Sequence, residues 1–281
     1  MSDAASVPNT VAATISEANE SENRSLLKVV IAAILISLLW KLPYYMGLDY
    51  FNRTMPLQDP FFPAFFRNQT VARMAYLIAV AVSTLLLLSK SRSILTFGSM
   101  LLVGTLFTLN IHQSGFNDVT FLCCGWSALW CLWFSTQISE ANQSLLPRAA
   151  WLSHAILSLI LIGGAVGKMT PEYWSGQVLY EIYFVDRDFW FYNIIRDSCT
   201  ADGLRDAATL HSRLVIVTEF ACGFLWLLPM RIASCLVLAV LMGIALTNNT
   251  MLFSVVTSLI GLSIIGLHQS KQPAIKASET A

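Results

Sequence analysis

The sequence predicts an all-α protein, a polytopic bundle of about eight transmembrane helices. Three observations carry this expectation. Of the 281 residues, 56% are hydrophobic and only 12% charged, half the ~25% charge of an average soluble chain. Mean hydropathy is +0.62. The apolar residues fall in continuous runs approaching the ~20 residues a bilayer core requires, without the alternation of a membrane barrel. Net charge is zero, so nothing directs the chain to nucleic acid.

Residues 1–25 are rich in Ser, Ala, Asn and Glu and read as a disordered cytoplasmic tail. The acids Asp3, Glu17, Glu20 and Glu22 outnumber bases there, so the following run is an uncleaved first helix rather than a signal peptide. The membrane domain spans 26–268. Its expected helices are Leu26–Tyr44, Val71–Leu88, Ile94–Ile111, Val119–Phe134, Ala149–Val166, Leu214–Met230, Ile232–Leu246 and Met251–Leu267. Pro229-Met230-Arg231 and Asn248-Asn249 divide the last three, as Pro and paired Asn favour chain reversal.

Lys90, Arg92, Arg148, Arg231, Lys271 and Lys276 fall on one side of this arrangement. The short opposite turns, near 112–116 and at Asn248-Asn249, carry no Lys or Arg. Both termini, including the tail 269–281, are therefore expected in the cytoplasm. The segments 45–70 and 169–213 become outer loops. Both are aromatic, the second with Trp174, Tyr180, Tyr183, Phe184, Phe189, Trp190, Phe191 and Tyr192. These rings read either as an interfacial belt or as a cap over an outer site. Asn52 and Asn68 head glycosylation sequons there, which would matter in a eukaryote.

Five of the six cysteines, Cys123, Cys124, Cys131, Cys222 and Cys235, lie in expected helices, and Cys199 in an outer loop. No Cys-x-x-Cys occurs, so they read as small hydrophobes. His112, His154, His211 and His268 lack metal-ligand spacing. P-loop, dinucleotide and nucleophile-elbow motifs are absent.

Ionisable groups at membrane depth then carry the information, being costly there unless paired or functional. Glu219 should lie ~8 Å below the outer end of its helix, and Lys168 ends the helix after Gly163-Gly-Ala-Val-Gly167. His112, Asn117 and Asp118 flank a short outer turn, and His211 precedes the sixth helix. These six groups are expected in one outer layer, with His154 ~21 Å from Lys168. Lys168 and Glu219 read either as a shared polar site or as an ion pair locking two helices. Asn117 and Asp118 suit the cap of the following helix. Gly163, Gly164 and Gly167 admit a close helix or ligand.

The run Gly163-Gly-Ala-Val-Gly-Lys-Met-Thr-Pro-Glu-Tyr-Trp-Ser-Gly resembles the hallmark segment of the HTTM family, the membrane domain shared with vitamin K-dependent gamma-carboxylase. Lys168, Met169, Trp174 and Gly176 fit its pattern, and Glu219 followed by Pro229 resembles its acid-then-proline helix. The resemblance implies an outer-leaflet site for a quinone or another lipid-soluble substrate. It implies Lys168 as base, and Glu219, His112 and Asp118 of the same outer polar layer are further catalytic candidates. Trp174, Gly164, Gly167 and His211 are its substrate-binding candidates. Gly167 stands where the carboxylase has a second lysine, and this chain ends soon after its last helix. Both departures weigh against gamma-carboxylation of a protein substrate. The alternative is a non-enzymatic accessory protein for export or maturation of a peptide, or a lipid or quinone binder like the DoxX-type relatives. A transporter would show broken helices and inverted repeats, and neither is visible. The expected setting is a bacterial inner membrane, with the lipid bilayer itself as partner.

Overall fold

The computed structural model describes residues 7–54, 60–116, 118–138, 145–185, 187–247 and 252–268. Among these residues every regular element is helical. Helix α1 (Val7–Thr54) is followed by α2 (Ala64–Arg67), α3 (Gln69–Leu88), α4 (Arg92–Ile111), α5 (Val119–Gln137) and α6 (Leu145–Gly167). Then come α7 (Pro171–Trp174), α8 (Gln177–Leu179), a π turn (Tyr180–Phe184), α9 (Trp190–Ser198), α10 (Ala201–Gly223), α11 (Met230–Thr247) and α12 (Phe253–His268). Eight of these are the apolar helices of the expected bundle. Six spans among the described residues are long and apolar enough to cross a membrane, while α11 and α12 are shorter. The fold is thus an all-α bundle suited to a multi-pass membrane protein.

Three boundaries depart from the sequence reading. The helix begins at Val7, where composition predicts a disordered tail. Ala12, Ala13, Glu17 and Ala18 are strong helix formers. A span that has already nucleated extends into them at little cost. At the other end α1 runs to Thr54, so the first outer loop shortens to 55–68. The second outer loop contains four short helical elements and the start of α10. That helix begins at Ala201 rather than Leu214, with Thr200 accepting from the Gly203 N–H as its cap. The charges Asp202, Arg205, Asp206 and Arg213 hide these turns from a hydropathy reading. The expected turns at Asn248-Asn249 and the tail 269–281 lie outside the described residues.

The shortest apolar helix holds the centre. Helix α12 packs on α1, α5, α6 and α11. Its small residues make that possible. A Cβ at Gly261 would stand 2.6 Å from the Ala33 Cβ, and one at Gly266 would stand 2.5 Å from His154 Cε1. Walled by its neighbours, α12 need not match the bilayer thickness by itself. Hydroxyls bond across and beside it: Thr120 of α5 and Ser254 of α12 share a hydrogen bond of 2.8 Å, and next to it Ser234 of α11 bonds His154 of α6 at 3.1 Å. His154 is buried among these helices, towards the end away from Lys168.

A second, smaller core caps the other end. Leu179, Phe184, Tyr192 and Ala208 are buried together, with Tyr173, Tyr180, Tyr183, Phe189 and Phe191 packed on them. The first turns of α10 form one wall of this cap. Most aromatic rings of the 169–213 segment therefore face inward, while Trp190 and Ile194 stay exposed. Arg196 pins the cap by donating to the carbonyls of Val185 (2.6 Å) and Arg187 (2.5 Å).

Candidate functional site

Helices α6 and α10 cross where Gly223 meets Ile162. A Cβ on Gly223 would lie 2.2 Å from Ile162 Cγ1, and the Ser158 hydroxyl donates to the Gly223 carbonyl. From this crossing the two helices run together towards the cap. Lys168, one residue past α6, meets Glu219 there. Its ammonium donates to Glu219 Oε2 at 2.6 Å, to Oε1 at 2.9 Å and, more weakly, to the Gly164 carbonyl at 3.3 Å. The side chains are 25% and 15% exposed. Coulomb attraction in this half-dry setting is far stronger than in water. The pair is neutral as a whole, which makes it tolerable at membrane depth.

Glycine at 164 gives the pair its room: a Cβ there would stand 3.3 Å from Glu219 Oε2 and 3.5 Å from Lys168 Nζ. Nothing lies within 4 Å of a Cβ built at Gly163 or Gly167. Of the three expected close approaches, only Gly164 is one. Glu219 also lies deeper along its helix than expected. It comes 18 residues after Ala201, so ~27 Å of α10 precede it. The extra turns belong to the cap, and the contact with Lys168 stands.

Glu219 forms one end of an apolar groove of about 270 Å³ between α10 and α11, lined by His211, Leu214, Val215, Thr218, Val240, Gly243 and Ile244. His211 lies inside α10 rather than before it. Its ring centroid is 5.9 Å from those of Phe184 and Phe191, so it joins the groove to the aromatic cap.

Trp174 stands apart from the groove. The Arg213 guanidinium lies 5.3 Å from its ring, and Arg213 Nε donates to its carbonyl at 3.3 Å. Gly176 has φ +80° and touches the Thr209 backbone, where a Cβ would come within 2.5 Å. The turn 173–176 is therefore a close-packed joint on α10, fixed also by Thr209 donating to the Ser175 carbonyl at 2.7 Å. Burial pushes the Tyr173 phenol of this joint up to about 12.

His112 and Asp118 belong to a different corner. Asp118 Oδ2 accepts from Lys41 at 2.8 Å, and its Oδ1 caps α5 by accepting from the Thr120 N–H at 2.9 Å. His112 Nε2 bonds the Asn68 carbonyl at 3.0 Å, and its Nδ1 accepts from Ser114 N–H at 3.1 Å. Burial holds its imidazole below the usual range, opposed by the Asn68 bond. The single outer layer expected from sequence thus divides into two polar clusters. One joins α6 to α10. The other joins α1 to the α4–α5 turn. Asn117 lies outside the described residues.

Lys41 is the residue that sequence reading passes over. It lies inside the first span, in Leu-Trp-Lys-Leu-Pro, and the criterion that selects Lys168 selects it too. Among the described residues no group of three His, Cys, Asp or Glu side chains could hold a metal. Cys123, Cys124, Cys131 and Cys222 are buried free thiols, and Cys199 and Cys235 are exposed ones. No family model matches the chain, nor does any curated protein or solved structure.

Proposed function

We propose that this is an HTTM-like membrane protein with a site in the outer leaflet for a lipid-soluble substrate of the quinol class. The observation that carries this reading is one carboxylate with two faces. Glu219 binds Lys168 directly and also lines an apolar groove. A hydrophobic molecule with an ionisable hydroxyl matches that combination: the tail lies along Leu214, Val240 and Ile244, and the hydroxyl reaches the ion pair.

The chemistry is proton transfer. The Lys168 ammonium has three N–H donors and makes three contacts. Its lone pair becomes available only when one proton passes to Glu219. The neutral amine then takes the proton of the substrate hydroxyl: the O–H bond breaks, an N–H bond forms, and the ammonium pairs with the new oxyanion. Glu219 passes its proton to the outer solution, and the pair is restored. His112 and Asp118 have no place in this scheme, since both are bound in the other corner. Gly164 makes room for the pair, while a Cβ at Gly167 would meet open space and Trp174 packs on Arg213.

A second reading rests on the same contacts. With all three donors satisfied, Lys168–Glu219 also serves as a lock between α6 and α10 in a non-enzymatic accessory protein for peptide export or maturation. Titrating the purified protein with reduced menaquinone separates the two. The proposed site binds and deprotonates it, a change visible in the quinol's ultraviolet spectrum. Lys168→Arg keeps the charge but cannot deprotonate near neutral pH, so it should bind without the spectral change. A wild-type spectral change retained in Lys168→Arg rules out the base role. Absence of any binding by the wild type leaves the lock.

The bases Arg24, Lys28, Lys90, Arg92, Arg148 and Arg231 gather at the end of the bundle opposite this site. That favours cytoplasmic termini, in a bacterial inner membrane. Reporter fusions after Ser89 and after Ser270 should both read cytoplasmic; an external reading at either overturns the orientation.

A further inference from the structure

At the end of the bundle opposite the Lys168–Glu219 pair, a cavity of about 410 Å³ opens between α1 and the α3–α4 turn. Its lining is Glu20, Ser21, Arg24, Ser25 and Lys28 from α1, with Ser89 and Lys90 from the turn. Three cations therefore converge from two separate segments, against one acid. Glu20 is already committed, bonding Arg24 at 2.5 Å. Lys28 and Lys90 have no ion-pair partner among the described residues, and the Arg24 Nε is buried without a hydrogen-bond partner. A buried donor left unsatisfied costs free energy, and an anion in the cavity would satisfy it. The serine hydroxyls add neutral donors beside the charges. The volume is many times the ~30 Å³ share of a water molecule, ample for a phosphodiester.

Position decides which anion. Lys28 is the third residue of the apolar run that starts at Leu26. Directly beyond the cavity, Val29, Leu85 and Leu88 present exposed apolar side chains, Leu88 being 77% exposed. A soluble phosphate would use the cations and leave that apolar surface idle. A phospholipid uses both: its phosphate sits among Arg24, Lys28 and Lys90, and its acyl chains lie along Leu85, Leu88 and Val29. Unpaired cations select a lipid with net negative charge over a zwitterionic one.

We infer that this cavity is a specific binding site for the phosphate headgroup of an anionic phospholipid.

The test uses the full chain in detergent, with phosphatidylglycerol as the probe and phosphatidylcholine and inorganic phosphate as controls. Bound lipid is counted by native mass spectrometry, and thermal stability is followed in parallel. The wild type should retain phosphatidylglycerol in preference to phosphatidylcholine and be stabilised by it. Lys90→Gln, an exposed change outside any helix, should weaken retention about fivefold, since each cation near an anionic headgroup contributes that much. Arg24→Gln with Lys28→Gln and Lys90→Gln should weaken it on the order of a hundredfold. Arg231→Gln removes a cation from the same end of the bundle but off the cavity, and should change nothing. The proposal fails if Arg231→Gln lowers retention as much as Lys90→Gln, because attraction is then diffuse. It fails if phosphatidylcholine is held equally well. It also fails if inorganic phosphate alone gives the same protection, because the ligand is then soluble.

Discussion

Among the described residues two lysine–carboxylate pairs lie near the same end of the bundle, and they are built differently. In the Lys41–Asp118 pair one carboxylate oxygen binds the lysine, and the other caps α5. Both oxygens therefore hold structure. In the Lys168–Glu219 pair both oxygens face the lysine, and the carboxylate also borders a groove. The contact distances differ by only 0.2 Å, at 2.8 Å and 2.6 Å. What separates a joint from a candidate site is where the spare capacity of the acid points, and not how tightly the charges meet.

Three tests can break this comparison, and the first has the largest effect. Glu219→Gln should abolish the spectral change with reduced menaquinone, because the proton relay is lost. Asp118→Asn, removing the other carboxylate's charge, should leave that change intact. Equal loss from both would mean that the two corners are not functionally distinct.

Stability should divide the pairs in the opposite direction. Asp118→Ala removes a helix cap and strands a partly buried ammonium, at a cost of about 2–3 kcal/mol. Lys168→Met combined with Glu219→Gln removes both charges at once and should cost ~1 kcal/mol or less, since a buried pair adds little over neutral packing. Thermal unfolding in detergent measures both. A double variant less stable than Asp118→Ala would make Lys168–Glu219 the structural joint.

The smallest effect sharpens the comparison at atomic scale. Gly164→Ala puts a methyl 3.3 Å from Glu219 Oε2. The pair must shift by a few tenths of an ångström, so stability should change by less than ~1 kcal/mol while quinol binding weakens measurably. Unchanged binding would show that the groove does not sense the geometry of the pair.

Hydropathy made the bundle readable, because each long span is a continuous apolar run with a polar break on either side. The Lys168–Glu219 contact was readable for a related reason: two opposite charges on consecutive spans, with few other partners at that depth. The Lys41–Asp118 contact was not. Asp118 sits in a turn where a capping role already explains it, so its pairing with Lys41, 77 positions away, is signalled from the Lys41 side alone. The early start of α10 was hidden because its first turns pack against the aromatic cap with small residues such as Ala208, while Asp202, Arg205 and Asp206 dominate the hydropathy average. The second core around Tyr192 and Phe184 was visible only as a density of aromatic residues. Ring direction, which distinguishes a belt from a cap, depends on the π turn and on Arg196, and neither is written in composition.

The groove beside Glu219 lies between two helices whose outer faces carry Leu214 and Met242, both more than half exposed to the surroundings of the bundle. A hydrophobic molecule of the proposed class would reach it in the plane of the bilayer rather than through water. Its effective concentration is then a mole fraction among lipids, not a molarity. Occupancy of the groove should fall when inert phospholipid is added at constant total substrate and volume. In a cell the site would respond to the make-up of its membrane even while the total amount of its substrate stayed fixed.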